Sequence, residues 1–171
     1  NTIRVAILGA SLTAAAGMAM AQVTLNFPTQ PVKIQQGQSG TVNLNMAGAT
    51  GVTGLQLTLT APAGMTVSLT PGAALTAAGK TLVCQPPTPS GLVTCLSIPS
   101  PTPNANLIGN GVLAAVRVDL AGFTGPAGSS NPLVLTGMYA SNANADAVAI
   151  TVGQVGQIQA VSLCDLTGDG V

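Results

Sequence analysis

Apolar and polar residues alternate with a period of two along most of the chain from residue 23 to residue 161. The segments VTLNF (23–27), TVNLNM (41–46), LQLTL (55–59) and MTVSL (65–69) carry Val, Leu, Met or Phe at every second position, with Thr, Asn, Gln or Ser between them. This alternation is typical of strands with one face in a core and the other in solvent. Further predicted strands are PVKIQ (31–35), TLVC (81–84), LVTCLSI (92–98), VLAAVRVDL (112–120), PLVLTGM (132–138), AVAITV (147–152) and VGQIQAV (155–161).

Short clusters of Pro, Gly, Ser and Asn, such as APAG and TGPAGSSNP, separate most of these segments and predict turns. Helical periodicity is almost absent, and GAALTAAGK (72–80) is the one stretch that favours a single helical turn. Many short strands joined by turns predict an all-β fold, an antiparallel β-sandwich or jelly roll of about nine strands.

Residues 1–21 have a different pattern from the rest of the chain. Arg4 precedes an apolar run from Val5 to about Ala16, and Ala19-Met20-Ala21 forms a small-x-small site. This order predicts a secretory signal peptide cleaved after Ala21, and hence a secreted or cell-surface protein. The alternative is a transmembrane anchor, which requires about 20 strongly apolar residues, whereas this run is shorter and rich in Ala, Gly and Thr. We expect the sandwich to occupy residues 22–160 and a separate terminal segment residues 161–171.

Charge is scarce and balanced, which excludes some partners. The 171 residues are 47% hydrophobic but only 5% charged, with four basic and four acidic side chains. Nucleic-acid binding needs many Lys and Arg contacts to phosphate, and an anionic membrane surface attracts the same residues. We therefore expect neither nucleic acid nor, for the mature form, a membrane as a partner.

The predicted export of the chain bears on the oxidation state of its cysteines. Cys84 and Cys95 lie in two predicted strands joined by a Pro/Gly/Ser loop, where they can face each other across a hairpin. In an oxidising compartment we expect a disulfide between them, which stabilises by about 3 kcal/mol in the chain-entropy model. The alternative is two free buried thiols. Cys164 is left over, either free or paired with a cysteine beyond this sequence.

The side chains that catalysis normally requires are nearly missing. The chain has no His and no Glu, and its Asp residues are 119, 146, 165 and 169. General acid–base and nucleophilic mechanisms need titratable groups in one cleft. We expect Asp119 to form a surface ion pair with Arg117 and Asp146 to lie in a turn, so the chain is predicted not to be an enzyme.

Carbohydrate binding usually uses exposed aromatic rings. The only aromatic residues are Phe27, Phe123 and Tyr139. Phe27 belongs to an alternating strand and is predicted to be in the core, and a packing role is expected for the other two as well.

The last residues, CDLTGDGV, fit the start of a calcium-binding loop. Asp165, Thr167 and Asp169 would occupy loop positions 1, 3 and 5, Gly170 the turn at position 6, and Val171 would offer its carbonyl at position 7. The bidentate acid expected at position 12 lies beyond this sequence, so we expect calcium only if the loop is completed there. The alternative is a plain Asp/Gly turn.

CDLTGDGV resembles the opening of a dockerin type I module, whose duplicated calcium loops begin with a D-x-N-x-D-G-type run. The preceding part resembles the cohesin-like modules of the carbohydrate-binding superfamily in GLQLTLTAPAGMTV, NGVLAAVRVDLAG and the closing AVAITVGQVGQI. The late G-x-L-x-x-V-x-V run and the closing G-x-I are the most similar. The resemblance covers about residues 23–160 for cohesin and 164–171 for dockerin. The chain departs from cohesins in its few charged and aromatic residues and in the hairpin that holds Cys84 and Cys95.

The resemblance implies a non-catalytic module that docks other proteins through one sheet face, with a dockerin start that serves a separate cohesin. We therefore expect an exported interaction or scaffold module for extracellular or cell-surface assembly. Its expected partner is a protein of the cohesin or dockerin type. The alternative is a carbohydrate-binding or adhesin-type sandwich whose partner is a polysaccharide.

Overall fold

The computed structural model describes residues 22–162, which form two packed β-sheets and one short helix. The predicted signal peptide (1–21), Cys164 and the predicted calcium-loop residues Asp165, Thr167, Asp169 and Val171 lie outside the described residues. The elements are β1 (Val23–Asn26), β2 (Val32–Gln35), β3 (Ser39–Ala47), β4 (Gly54–Thr60), β5 (Thr66–Pro71), α1 (Ala73–Ala77), β6 (Lys80–Cys84), β7 (Leu92–Pro99), β8 (Gly111–Asp119), β9 (Ser130–Ser141), β10 (Ala147–Val148), β11 (Ile150–Gln154) and β12 (Gly156–Val161).

Each segment with apolar alternation forms a strand, and residues 147–152 contribute to two, β10 and β11. The smaller sheet has the order β11-β1-β3-β8-β5, and the larger sheet has the order β2-β12-β9-β4-β7-β6, with β10 paired to β9. Among the strands of residues 22–162, only the β1–β11 and β2–β12 pairs are parallel. The predicted all-β sandwich of the jelly-roll type is confirmed.

The core lies between the two sheets and is almost entirely aliphatic. The inward positions of the alternating strands supply it, as the period-two pattern predicts. Full burial of one such side chain contributes about 1.5–3 kcal/mol relative to exposure. The largest fully buried side chains are Leu25, Leu44, Met46, Leu55, Leu57, Leu59, Leu75, Ile108, Leu113, Leu120, Leu133 and Ile158.

The predicted helical turn is confirmed as α1, which buries Ala74 and Leu75 against the core. Gly72 precedes α1. Its backbone passes so close to β8 that a Cβ at this position would overlap the Val112 carbonyl oxygen, which favours glycine there. Among residues 22–162 no helix has the length and apolar character needed to cross a membrane.

The hairpin β6–β7 carries the predicted disulfide. Cys84 and Cys95 are directly opposite in the antiparallel pairing, with their Cα atoms 4.0 Å apart, and their sulfurs are bonded. Cys95 is buried and Cys84 is half-buried against the core, so the bond closes the inner face of the hairpin.

The first residue of β6, Lys80, points inward and is only 4% exposed. Its Nζ donates to the carbonyl oxygen of Asn104 at 3.3 Å and to Asn104 Oδ1 at 3.1 Å. Asn104 in turn donates through Nδ2 to the Gly79 carbonyl oxygen at 2.9 Å. Lys80 therefore fastens the 100–107 loop to the start of β6, and its burial lowers its pKa below the ordinary value of 10.5.

Candidate docking surface

The two described aspartates are placed by the structure in separate, structural settings. Asp119 Oδ1 accepts a hydrogen bond from the Ala121 backbone N–H at 2.8 Å. Arg117 reaches across to the neighbouring strand, where Nη2 donates to Ser39 Oγ at 2.8 Å. The predicted Arg117–Asp119 ion pair is therefore wrong: the carboxylate caps its own turn, and the guanidinium bonds a hydroxyl on β3.

Asp146 closes the β9–β10 turn, as predicted. Its N–H donates to Asn142 Oδ1 at 2.9 Å, and its Oδ2 accepts from Asn142 Nδ2 at 3.1 Å. Residues 22–162 contain no group of three or more His, Cys, Asp or Glu side chains that could hold a metal. This part of the chain thus offers neither a carboxylate pair for acid–base chemistry nor a metal centre.

The three aromatic side chains differ in their exposure to solvent. Phe27 is buried, which confirms its predicted core position, and Phe123 is half-buried against the core. Tyr139 is 49% exposed on β9, so the expectation that it has a packing role is wrong.

A β-bulge in β9 exposes Tyr139. Gln56 pairs with Tyr139 and Thr58 with Thr136, so Leu57 alone faces the two residues Gly137 and Met138. The extra residue reverses the alternation of strand faces, because side chains alternate strictly with period two. Gly137 has φ of 53°, in the left-handed region that favours glycine. Beyond it the half-buried Met138 packs against the core and Ala140 is fully buried, which leaves Tyr139 outward.

Tyr139 belongs to a row of side chains that crosses four strands of the larger sheet. Val83 on β6 pairs with Leu96 on β7, Leu96 with Gln56 on β4, and Gln56 with Tyr139 on β9. Val83 is 53% exposed and Leu96 is 47% exposed. We call these four residues the apolar row, in which one amide side chain separates an aliphatic pair from an aromatic ring.

Neutral side chains surround the apolar row. The next row consists of Thr94, Thr58 and Thr136, and the Thr58 and Thr94 hydroxyls are 2.9 Å apart in a hydrogen bond. Beside the aliphatic pair lies a shallow depression of about 290 Å³ on the sheet surface. It is lined by Gln56, Val83, Gln85, Thr94, Leu96 and Ile98.

A larger depression, of about 480 Å³, lies at one end of the sandwich. The loops at 62–66 and 87–91 line it with Pro, Gly, Ala and Thr, and none of its lining residues is titratable.

The sequence contains a signal for part of the apolar row that period-two alternation does not show. Apolar residues are adjacent within several strands, among them Leu82 with Val83 in β6 and Cys95 with Leu96 in β7. One of two adjacent strand residues must point away from the core, so each pair indicates an apolar side chain on the outer face.

Comparison with known proteins gives matches in structure only. No family model matches the chain, and no curated protein matches its sequence. A non-cellulosomal cohesin from the archaeon Archaeoglobus fulgidus superposes with a TM-score of 0.66 at 18% identity, covering 85% of this chain and 95% of that one. The sixth cohesin of Acetivibrio cellulolyticus scaffoldin B, solved in complex with a Cel5 dockerin, gives 0.65 at 16% identity, covering 81% and 97%.

A third structure, the OlpA cohesin of Clostridium thermocellum in a type I complex with a dockerin, has a TM-score of 0.65 at 10% identity. The superposition covers 81% of this chain and 99% of the OlpA cohesin. Identities this low establish the architecture alone. Residues 22–162 therefore have a cohesin-like β-sandwich fold.

Proposed function

We propose that this protein is a non-catalytic interaction module that docks a partner of the dockerin type through the outer face of β6, β7, β4 and β9. The apolar row carries this proposal. Single exposed apolar residues are ordinary on protein surfaces, whereas a contiguous apolar patch rimmed by polar groups marks an interaction site. Val83 and Leu96 form an apolar pair on adjacent strands, Tyr139 adds an exposed ring two strands from Leu96 beyond Gln56, and threonines border the row.

Docking of a protein partner has a precedent among the structural neighbours. The Acetivibrio and Clostridium neighbours were solved in complexes with dockerins. A rigid sheet suits recognition because side chains fixed on strands lose little conformational entropy on binding. The apolar row combines an aromatic anchor with an aliphatic depression, and such anchors dominate binding energy at protein interfaces.

We place the protein outside the cell, either secreted or at the cell surface. The signal peptide predicted at residues 1–21 and the Cys84–Cys95 disulfide both support this location, because disulfides persist in oxidising compartments.

The terminal CDLTGDGV segment is a further part of the proposal. Asp165, Thr167, Asp169 and the Val171 carbonyl supply the oxygen ligands that calcium prefers. With an acid at loop position 12 they would form the first calcium loop of a dockerin. The protein could then bind a partner's dockerin through its sandwich and a separate cohesin through its own dockerin. Recovering the reading frame past residue 171 and titrating calcium by calorimetry tests this part separately.

The docking proposal is tested by titrating the full chain with the calcium-loaded dockerin modules encoded in the same genome. We expect at least one module to bind, and Leu96→Lys to weaken that binding at least about 30-fold, as expected for a hot-spot residue. Asn43→Lys is the matched control, since it adds the same charge to an exposed strand position on the smaller sheet.

The proposal fails if no dockerin module binds, or if Leu96→Lys and Asn43→Lys bind equally well. Polysaccharide binding is the second candidate, favoured by the exposed Tyr139 ring. Hits on a glycan array that disappear in Tyr139→Ala, combined with a negative dockerin panel, would establish that candidate instead.

A further inference from the structure

The described charged side chains all lie off the central outer face of the larger sheet. Lys80 points into the core, while Arg117 and Asp119 belong to β8 of the smaller sheet. Lys33 is on β2, at the far edge of the larger sheet, and Asp146 is held in the β9–β10 turn. The outward residues of β6, β7, β4 and β9 are uncharged and include Thr81, Val83, Leu92, Thr94, Leu96, Ile98, Gln56, Thr58, Thr60, Ser130, Pro132, Val134, Thr136, Tyr139 and Ser141.

We infer that the partner surface recognised by the apolar row is itself uncharged, so that binding rests on apolar contacts and neutral hydrogen bonds. This inference rests on the proposed function and specifies the chemistry of its partner. A charged partner residue laid on this face would lose hydration without gaining an opposite charge, which costs free energy. An aliphatic side chain meets no such penalty, and an amide side chain offsets its loss of hydration by hydrogen bonding to the neutral groups of this face.

Gln56 gives the face its polar specificity. Its side chain lies between Leu96 and Tyr139, and among residues 22–162 its amide makes no hydrogen bond. The amide offers one acceptor and two donor hydrogens to a partner. It therefore matches a neutral amide, hydroxyl or backbone group, with apolar residues on either side.

The spacing of the row sets the pattern that the partner must present. Adjacent strands are about 4.8 Å apart, so Leu96 and Tyr139 lie about 10 Å apart across β4. Val83 and Leu96, with the depression beside them, form one apolar pad, and the Tyr139 ring forms the other. The partner surface therefore has two apolar contacts about 10 Å apart with a neutral polar group between them.

Two variants of opposite charge at Gln56 test the inference. Gln56→Glu changes the side chain almost isosterically, and Gln56→Lys adds the opposite charge at the same exposed position. An uncharged partner predicts that both weaken binding at least about tenfold, because either charge is buried without a counterpart. A charged partner predicts that one of the two strengthens binding, and that result overturns the inference.

The probe is a displayed library of helical-scaffold proteins with a randomised surface, selected on the full chain. Clones are kept if they bind wild type and Asn43→Lys but not Leu96→Lys, which assigns them to the apolar row. We expect the kept clones to be depleted of Asp, Glu, Lys and Arg at their contact positions. Their Kd is expected to change less than about twofold between 50 and 500 mM NaCl.

Charge-rich clones, a tenfold weakening at high salt, or no clone that depends on Leu96 would each overturn the inference. The dockerin panel separates this failure from failure of the proposed function. A dockerin that binds the apolar row with strong salt dependence leaves the function standing and removes the inference. Uncharged clones together with a negative dockerin panel support the surface chemistry and remove the dockerin as its partner.

Discussion

The outer faces of the two sheets have different chemistry although they share one core. On the smaller sheet the outward positions of β3 and β5 are Ser, Thr and Asn, as in Thr41, Asn43 and Ser68. On the larger sheet Val83, Leu96 and Tyr139 stand outward, each about half exposed. Solvent-facing strand positions need only be compatible with water, so the smaller face meets the requirements of folding alone. The apolar residues of the larger face lie outside the core, and they are the residues that we propose contact a partner.

The largest expected effect comes from giving the larger face the chemistry of the smaller one. In the triple variant Val83→Thr, Leu96→Thr and Tyr139→Thr, threonine preserves strand propensity while it removes the apolar surface. We expect binding to a dockerin that recognises wild type to fall at least about 100-fold, while the free energy of unfolding falls by no more than about 0.5–1 kcal/mol at each site, because each side chain is about half exposed. Calorimetry and urea denaturation measure the two quantities. Retained binding would contradict the division between the faces.

A second difference between the sheets is the disulfide of the β6–β7 hairpin, since the described strands of the smaller sheet carry none. Removing it tests how much of the hairpin's stability comes from this covalent link. Replacing both cysteines by alanine is expected to lower the free energy of unfolding by about 3 kcal/mol, because the disulfide reduces the conformational entropy of the unfolded chain. Urea denaturation of wild type, with and without a reductant, provides the comparison. A loss below about 1 kcal/mol would show that strand pairing and packing alone hold the hairpin.

The bulge at Gly137 offers a smaller and more local test. Gly137→Val places a β-branched side chain at a φ of 53° and brings its Cβ to 3.2 Å from Thr58 Oγ1. We expect a loss of about 1–3 kcal/mol and a change in the environment of Tyr139. Tyrosine fluorescence quenching by acrylamide reports that environment. An unchanged unfolding midpoint would mean that the bulge does not need glycine.

The smallest expected effect concerns pH. Burial lowers the pKa of Lys80 in the folded state, whereas the unfolded chain has the ordinary value of 10.5. As pH rises from the folded pKa toward 10.5, the unfolded state binds more protons, so stability increases with pH over that window. Urea midpoints across this range should rise for wild type relative to Lys80→Met, which lacks the titrating amine. Parallel curves for the two proteins would contradict the assignment.

Local chemistry made much of the fold predictable. Every alternating segment became a strand, GAALTAAGK became α1, and the hairpin loop brought Cys84 opposite Cys95. Such features depend on the spacing of apolar side chains and on the turn residues within a few positions, and both are visible in the sequence. The Arg117–Asp119 ion pair failed because spacing within one strand does not show which neighbouring strand competes for the guanidinium.

By itself, the sequence determined the strands, their inner faces, the disulfide pair and the scarcity of catalytic side chains in this chain. Only the tertiary structure decided the candidate site, because the apolar row joins residues from β6, β7, β4 and β9, which span positions 56 to 139. Strand order and register brought them together, and the Gly137 bulge turned Tyr139 outward. Neither is encoded in a local pattern, since both depend on how distant strands pair.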